Sequence, residues 1–330
     1  MFIENPLNPA MKEIVFLDRN RHKWQKFEET LNQASKTNPD TIASLYIQLT
    51  DDLSYARTFF PNSSTTEYLN QLSIKVHQQI YKNKKVRKGS FKRFWTKELP
   101  LVLYETRKQL LYSFLIFTIA ILIGIISTKN DLSFVRAIMG DHYVNMTIDN
   151  IKKNDPMAVY KQKGKTAMFL GITVNNIKVS FMAFVFGIFT AFGTGYILFS
   201  NGIMLGSFTW FFVENNLFWE STRVIWIHGT LEISAIVISG AAGMVLGNSM
   251  IFPGTLPRKT SMQIGVRKGI KIVTGVVPLF IVAGFLEGYV TRHTEMPMFL
   301  SWTIIISSLA FVVWYFIINP KRVYDRLAID

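Results

Sequence analysis

The chain of 330 residues is 49% hydrophobic and 18% charged, whereas a typical soluble domain carries about 25% charge. Half of the 36 Lys and Arg residues lie in residues 1–108 and long stretches beyond them hold none, which excludes one soluble globule. The absence of cysteine excludes disulfides and thiolate chemistry, and an aromatic content of 14% excludes intrinsic disorder.

Three short helices are predicted in the first hundred residues. Apolar side chains recur at helical spacing over about 8–34, after Pro39 and over about 65–81, with a break at 61–64. A basic run with interleaved aromatic residues follows, which is typical of a segment that lies on anionic lipid. We interpret residues 1–100 as a cytoplasmic helical region that ends in a basic amphipathic segment. The cations of that segment are Lys82, Lys84, Lys85, Arg87, Lys88, Lys92, Arg93 and Lys97.

Residues 101–330 contain six apolar segments, and a helix that crosses a membrane needs about 20 such residues. The segments lie at about 109–127, 179–199, 203–213, 224–246, 272–290 and 298–318. A turn is predicted at Ser200-Asn201-Gly202, which leaves the third segment short, and residues 128–165 are predicted to be a charged linker. The fold class is therefore all-α, a polytopic membrane bundle of about six transmembrane helices.

The basic loops predict the orientation of the bundle. Residues 82–108, 248–271 and 321–326 are strongly basic, and six crossings place all three on one side. Since Lys and Arg accumulate in cytoplasmic loops, both termini are predicted to be cytoplasmic. The same rule accounts for the net charge of +14, so nucleic acid is not an expected partner.

Ionisable residues inside the apolar segments mark the candidate site. His228 and Glu232 are four residues apart and share one helical face, while Glu287 lies in the fifth segment. Charges inside a membrane cost about 2.5–3.5 kcal/mol each on insertion scales, so these residues are expected to face the bundle interior. The topology places them near one outer boundary, in a polar cluster that opens outward. The other predicted members of this cluster are Glu214, Asn175, Asn176 and Lys178.

Four interpretations of this cluster remain open at the level of sequence. The side chains can tie helices together, relay protons in a coupled transporter, hold a metal, or line an external pocket for a lipid-linked or cell-wall molecule. A metal needs three or four ligands, and the other external histidines are only His142 and His293, so no metal or cofactor is expected.

Small residues in the rear half predict close helix packing. The glycines expected to serve it are Gly202, Gly206, Gly229, Gly240, Gly243 and Gly247. Neither a nucleotide-binding loop nor a serine-hydrolase or kinase signature occurs, so no catalytic residue and no enzymatic activity are predicted.

Three motifs carry a resemblance to a known family. They are Asn175-Asn176, the Asn201-Gly202-x-x-x-Gly206 turn, and His228-Gly229-x-x-Glu232 with its Ala/Gly-rich continuation. Over residues 105–320 the chain resembles the stage II sporulation protein M family of integral membrane proteins, which implies a location in a bacterial inner membrane. The resemblance implies a non-enzymatic scaffold for an envelope or cell-wall remodelling complex. A proton- or ion-coupled transporter that uses the His/Glu cluster is the alternative.

The resemblance also implies a set of partners. Members of the family are expected to contact membrane lipids and other envelope membrane proteins or cell-wall hydrolases. Longer members are associated with MoxR-type ATPases, and a homo-oligomer is a further expectation. The family gives His228 and Glu232 only as a polar signature, without an assigned role.

Overall fold

The computed structural model describes residues 9–32, 39–82, 89–161 and 164–329. Within these ranges the regular elements are all helical, and six helices are long and apolar enough to cross a membrane. The predicted all-α membrane bundle is therefore confirmed. The chain divides into two compact units, Met1–Ser90 and Phe91–Asp330.

The first unit contains three helices, α1 (Pro9–Asn32), α2 (Pro39–Phe59) and α3 (Ser64–Lys82), at the predicted positions. They share a core in which the Trp24 side chain is only 2% exposed. The Trp24 indole N–H donates to the Asp52 carboxylate at 2.8 Å, so a hydrogen bond stabilises the core in addition to apolar packing. Four of the eight cations of the predicted basic segment, Lys84, Lys85, Arg87 and Lys88, lie outside the described residues.

The second unit begins earlier than the sequence suggested, because residues 91–100 pack with the bundle. Leu99 is fully buried in the core of this unit. Glu98 accepts a hydrogen bond from Lys271 at 2.8 Å, and this interaction holds the pKa of Glu98 below its ordinary value. The α-helices of the second unit are α4 (Ser90–Arg93), α5 (Leu99–Glu105), α6 (Arg107–Asn130), α7 (Ser133–Met139), α8 (Asp141–Lys152), α9 (Lys165–Val185), α10 (Thr190–Glu214), α11 (Phe218–Ile251), α12 (Arg258–Phe285), α13 (Met298–Val312) and α14 (Asn319–Ile329).

Short π- and 3-10 segments extend several of these helices. The π segments are Phe94–Glu98, Leu286–Thr291 and Val313–Ile318, and the 3-10 segments are Ala158–Tyr160 and Phe186–Phe189. With these extensions, spans one to six are Arg107–Asn130, Lys165–Phe189, Phe192–Glu214, Phe218–Ile251, Arg258–Thr291 and Met298–Ala328. Span four is the central helix, because 83% of its most apolar stretch is buried and it packs against spans one, two, three, five and six.

The predicted turn at Ser200-Asn201-Gly202 is wrong. Helix α10 runs through these residues, and the chain reverses instead at residues 186–190, where Thr190 adopts a φ of +65°. Gly202 serves packing, since a Cβ there would lie 2.6 Å from Ala120 Cβ on span one. Because the turn lies earlier in the chain, span three is 23 residues long and not short as the sequence predicted.

Within the predicted linker at 128–165, the described residues 131–161 form a packed cap on the bundle. Helices α7 and α8 and the Ala158–Tyr160 segment lie within it. Apolar side chains from this cap join side chains from spans two, three and four in a second core. The buried residues of this core are Val135, Val144, Met157, Tyr160, Met168, Phe211, Phe212 and Val224.

Most of the predicted packing glycines lie where helices touch. A Cβ on Gly206 would overlap the backbone oxygen of Ile121, and one on Gly240 would lie 2.5 Å from Ser113 Oγ. Gly229 differs, because a Cβ there would make only ordinary contacts with side chains of its own helix. Gly247 is buried on the same helix.

Candidate functional site

The site lies where span four meets the end of span five. His228 and Glu232 are one turn apart on α11, and Glu287 lies in the π segment that continues α12. Ligand-type atoms of the three side chains all lie within 4.8 Å of one another. At a rise of 1.5 Å per residue, the sequence positions of the two carboxylates alone would separate them in depth by about 7 Å. Their long side chains close that gap.

The His228 imidazole is held in a defined orientation. The side chain is buried, and its Nδ1 lies 3.1 Å from the Thr291 hydroxyl oxygen. Its Nε2 faces the other way, 3.7 Å from Glu287 Oε2, which is beyond hydrogen-bond distance. Thr291 and Glu287 come from the same π segment, an element that occurs often at functional sites.

Tyr160 covers the cluster from the cap. Its ring meets the His228 imidazole edge-on with centroids 5.7 Å apart, and its side chain is buried. Burial raises the pKa of the Tyr160 and Tyr143 hydroxyls, with a further contribution from the charge of Glu287. The cap therefore covers the His228 side of the cluster, while Glu232 and Glu287 remain partly exposed.

Span two contributes amide and hydroxyl groups. The Asn176 side chain is 5% exposed, and its amide nitrogen faces the Glu232 carboxylate without a hydrogen bond of standard geometry. Thr173 also has a buried hydroxyl with no partner among the described residues. Span two approaches this closely because Gly284 on span five leaves room, since a Cβ there would overlap Thr173 Oγ1.

The other predicted members do not join the cluster. Asn175 and Lys178 are exposed on the opposite face of span two, and Glu214 is exposed at the end of span three. The sequence placed Asn175 and Lys178 at the start of a span, whereas helix α9 places them near the middle. Both the position of Asn175 and Lys178 along span two and their exposure therefore differ from the prediction.

Sequence reasoning missed three residues of this region. Tyr160 and Thr291 contact His228, and Arg223 donates to the backbone oxygens of Thr294 and Met296 at 3.0 and 3.1 Å. Through these two hydrogen bonds, Arg223 at the beginning of span four binds the loop that follows span five. A signal existed for Tyr160, since the linker interleaves apolar residues such as Met157 and Tyr160 with its charged ones.

Polar groups in the middle of the bundle are bonded locally. Asn201, which lies near the middle of α10, donates to the backbone oxygen of Ile197 at 2.8 Å within its own helix. The Ser239 hydroxyl donates to the backbone oxygen of Ala235 and lies 2.5 Å from the Ser180 hydroxyl oxygen. These groups are neutral and paired, so they do not extend the His/Glu cluster into a chain of ionisable residues.

Comparisons with known proteins agree with the sequence motifs. A sequence model of the family described as Stage II sporulation protein M matches residues 113–292, and a model described as Domain of unknown function (DUF8413) matches residues 14–82. Two relatives are the uncharacterized proteins MJ0706 and MJ0793 of Methanocaldococcus jannaschii. The first is 22% identical over 62% of this chain and 92% of its own length, and the second is 25% identical over 55% and 93%. No solved structure matches the chain.

Proposed function

Because the chain belongs to the Stage II sporulation protein M family, we propose that this multi-pass membrane protein is a non-enzymatic scaffold that binds another envelope membrane protein within the bilayer. The proposal rests on the exposed face of span two. Gly171, Asn175 and Lys178 form a line along this face, which we call the polar strip. The three residues are spaced four and three apart, so they lie on one helical face, and all are exposed.

The depth of Lys178 makes this strip unusual. Lys178 lies 13 residues after Lys165 and 11 before Phe189, so it is more than about 15 Å from either end of span two. A charge at the centre of a membrane helix costs about 2.5–3.5 kcal/mol on insertion scales. An exposed ammonium at this depth therefore favours a partner that covers it.

The chemistry of the strip indicates a transmembrane helix with a carboxylate. A Cβ on Gly171 would meet nothing within 4 Å, so a neighbouring helix can approach closely there. Asn175 offers a hydrogen-bonding amide, and Lys178 a positive charge for an Asp or Glu. A second copy related by two-fold symmetry would bring Lys178 near its own counterpart, so charge favours a different protein.

The basic loops support the finer localisation that we propose, with both termini in the cytoplasm and the bundle in the cytoplasmic membrane. The strip would then be available to envelope proteins that share this membrane, such as anchored cell-wall hydrolases. A transport role has less support, because Tyr160 packs over His228 and the polar groups next along the bundle, Ser180 and Ser239, are neutral.

Removing the Lys178 charge is expected to release the partner. In a pull-down of the tagged full chain from its native membrane, Lys178→Leu should lower recovery of the co-purifying membrane protein about tenfold or more, the effect of losing about 1.4 kcal/mol. Lys178→Arg keeps the charge and should retain the partner. Lys321→Leu removes an exposed Lys elsewhere and is the matched control. Equal recovery with Lys178→Leu and Lys321→Leu would contradict the proposal.

A further inference from the structure

We propose that His228, Glu232 and Glu287 bind one divalent transition-metal ion, for which zinc is the best chemical match. One imidazole nitrogen and two carboxylate oxygens lie within 4.8 Å of one another. A tetrahedral zinc ion with bonds of about 2.0–2.2 Å would hold its ligands roughly 3.4 Å apart. Side-chain rotations that move the ligand atoms by about an ångström are therefore enough to bring them to the distances that zinc requires.

The orientation of His228 is that of a metal ligand. A ligating histidine almost always uses one ring nitrogen for the metal and donates the other N–H to a neighbouring acceptor. Here the Thr291 hydroxyl oxygen can accept the Nδ1 proton at 3.1 Å. That tautomer leaves a lone pair on Nε2, which points toward Glu287 at 3.7 Å with no hydrogen bond between them.

The charges around the cluster favour a bound cation. Within the described residues, neither Glu232 nor Glu287 pairs with a Lys or Arg side chain. The groups near the two carboxylates are polar but neutral: the amide of Asn176 is directed at Glu232, and the hydroxyls of Tyr143 and Tyr160 lie close enough to feel the charge of Glu287. Two carboxylates and a nitrogen lone pair directed at one small volume repel one another unless a proton or a metal ion lies between them.

Asn176 is an independent indication of a ligand. Its amide is buried and directed at the Glu232 carboxylate, but not with the geometry of a standard hydrogen bond. A poorly paired buried amide is costly, and a half-turn of the side-chain amide exchanges its nitrogen for its oxygen. The oxygen would then supply a fourth ligand or bind a metal-bound water.

The donor set identifies the class of metal. Imidazole suits zinc, copper, iron and nickel, whereas calcium takes six to eight oxygen ligands and magnesium retains several waters. A buried site with one nitrogen and two or three oxygens fits zinc in particular. The ion would join span four to the π segment at the end of span five, directly beneath the cap.

Equilibrium binding of Zn²⁺ to the full chain tests this inference. Purified protein stripped with a chelator should take up one Zn²⁺ per chain in competition with a chromophoric chelator. Glu232→Gln and Glu287→Gln should each weaken binding at least about tenfold, and Thr291→Val should weaken it about 10- to 100-fold, as loss of an outer-shell partner does. Glu214→Gln and His293→Ala alter exposed or unclustered groups and should bind as the wild type does.

Two results would overturn the inference. One is a wild-type protein that takes up no more Zn²⁺ than the Glu232→Gln/Glu287→Gln double variant. The other is a loss of affinity in Glu214→Gln or His293→Ala equal to that in the cluster variants. The wild-type stoichiometry is informative even if a cluster variant fails to fold, and Thr291→Val leaves all three ligands in place.

Discussion

Replacing Gly243 with leucine is expected to prevent the six-span unit from folding. Gly243 lies where spans two, three and four meet, and a Cβ there would overlap both the backbone oxygen of Ala183 and the Thr194 side chain. A Cβ on Gly187 would in turn overlap the backbone oxygen of Gly243, so the two glycines face each other. Overpacking usually costs about 1–3 kcal/mol, and a leucine forced against backbone on two neighbours should exceed that range.

The yield of monodisperse protein in detergent measures this effect. Gly195→Leu is the matched control, because Gly195 lies in the same bundle and a Cβ there would meet nothing within 4 Å. We expect Gly195→Leu to elute and melt as the wild type does, and Gly243→Leu to aggregate or to be lost. Equal yield and melting temperature for the two variants would show that the three helices do not pack as closely as described.

Replacing Trp24 with alanine is expected to unfold the first unit while leaving the spans intact. Trp24 is 2% exposed in the core of that unit, and truncating a buried Trp costs about 3–5 kcal/mol. The change also removes the indole donor at 2.8 Å from Asp52. A single core in a domain of this size rarely supplies more than about 3–5 kcal/mol, so the loss should consume most of its stability.

Limited proteolysis of the full chain separates the two units. In Trp24→Ala, cleavage within residues 9–82 should become rapid, while the fragment that contains residues 107–328 persists. Ile14→Ala truncates a side chain on the same helix that is 65% exposed, and it should resist cleavage as the wild type does. Protection of residues 9–82 in Trp24→Ala would contradict a shared core centred on this side chain.

The parts of the fold that follow from local chemistry were predictable from the sequence. Six membrane-length helices follow from apolar runs, and the shared face of His228 and Glu232 follows from their spacing on one helix. The expectation that Glu287 faces the bundle interior rested on the cost of exposing a carboxylate to lipid. These inferences need only the period of the α-helix and the free-energy cost of placing a charged side chain in lipid.

The parts that depend on distant contacts were not predictable. Asn201-Gly202 has the composition of a turn, but Gly202 is needed for contact with span one, so the helix continues through it. That shift moves Asn176 to the middle of span two, where it faces Glu232, and leaves Lys178 on the outer face. Tyr160 reaches His228 only because residues 128–165 fold back onto the bundle. No local pattern encodes either contact.

Site-specific photocrosslinking on span two is the most direct test of a scaffold that binds through the polar strip. Val174 is 64% exposed on the strip face, so a photoreactive residue at this position would lie against a bound partner. Leu309, which is 51% exposed on span six, is the control position. In native membranes we predict a crosslink from position 174 to a different membrane protein, lost when Lys178→Leu is added, and only lipid adducts from position 309. Lipid adducts alone at both positions, or a crosslink to a second copy of this chain, would contradict the account.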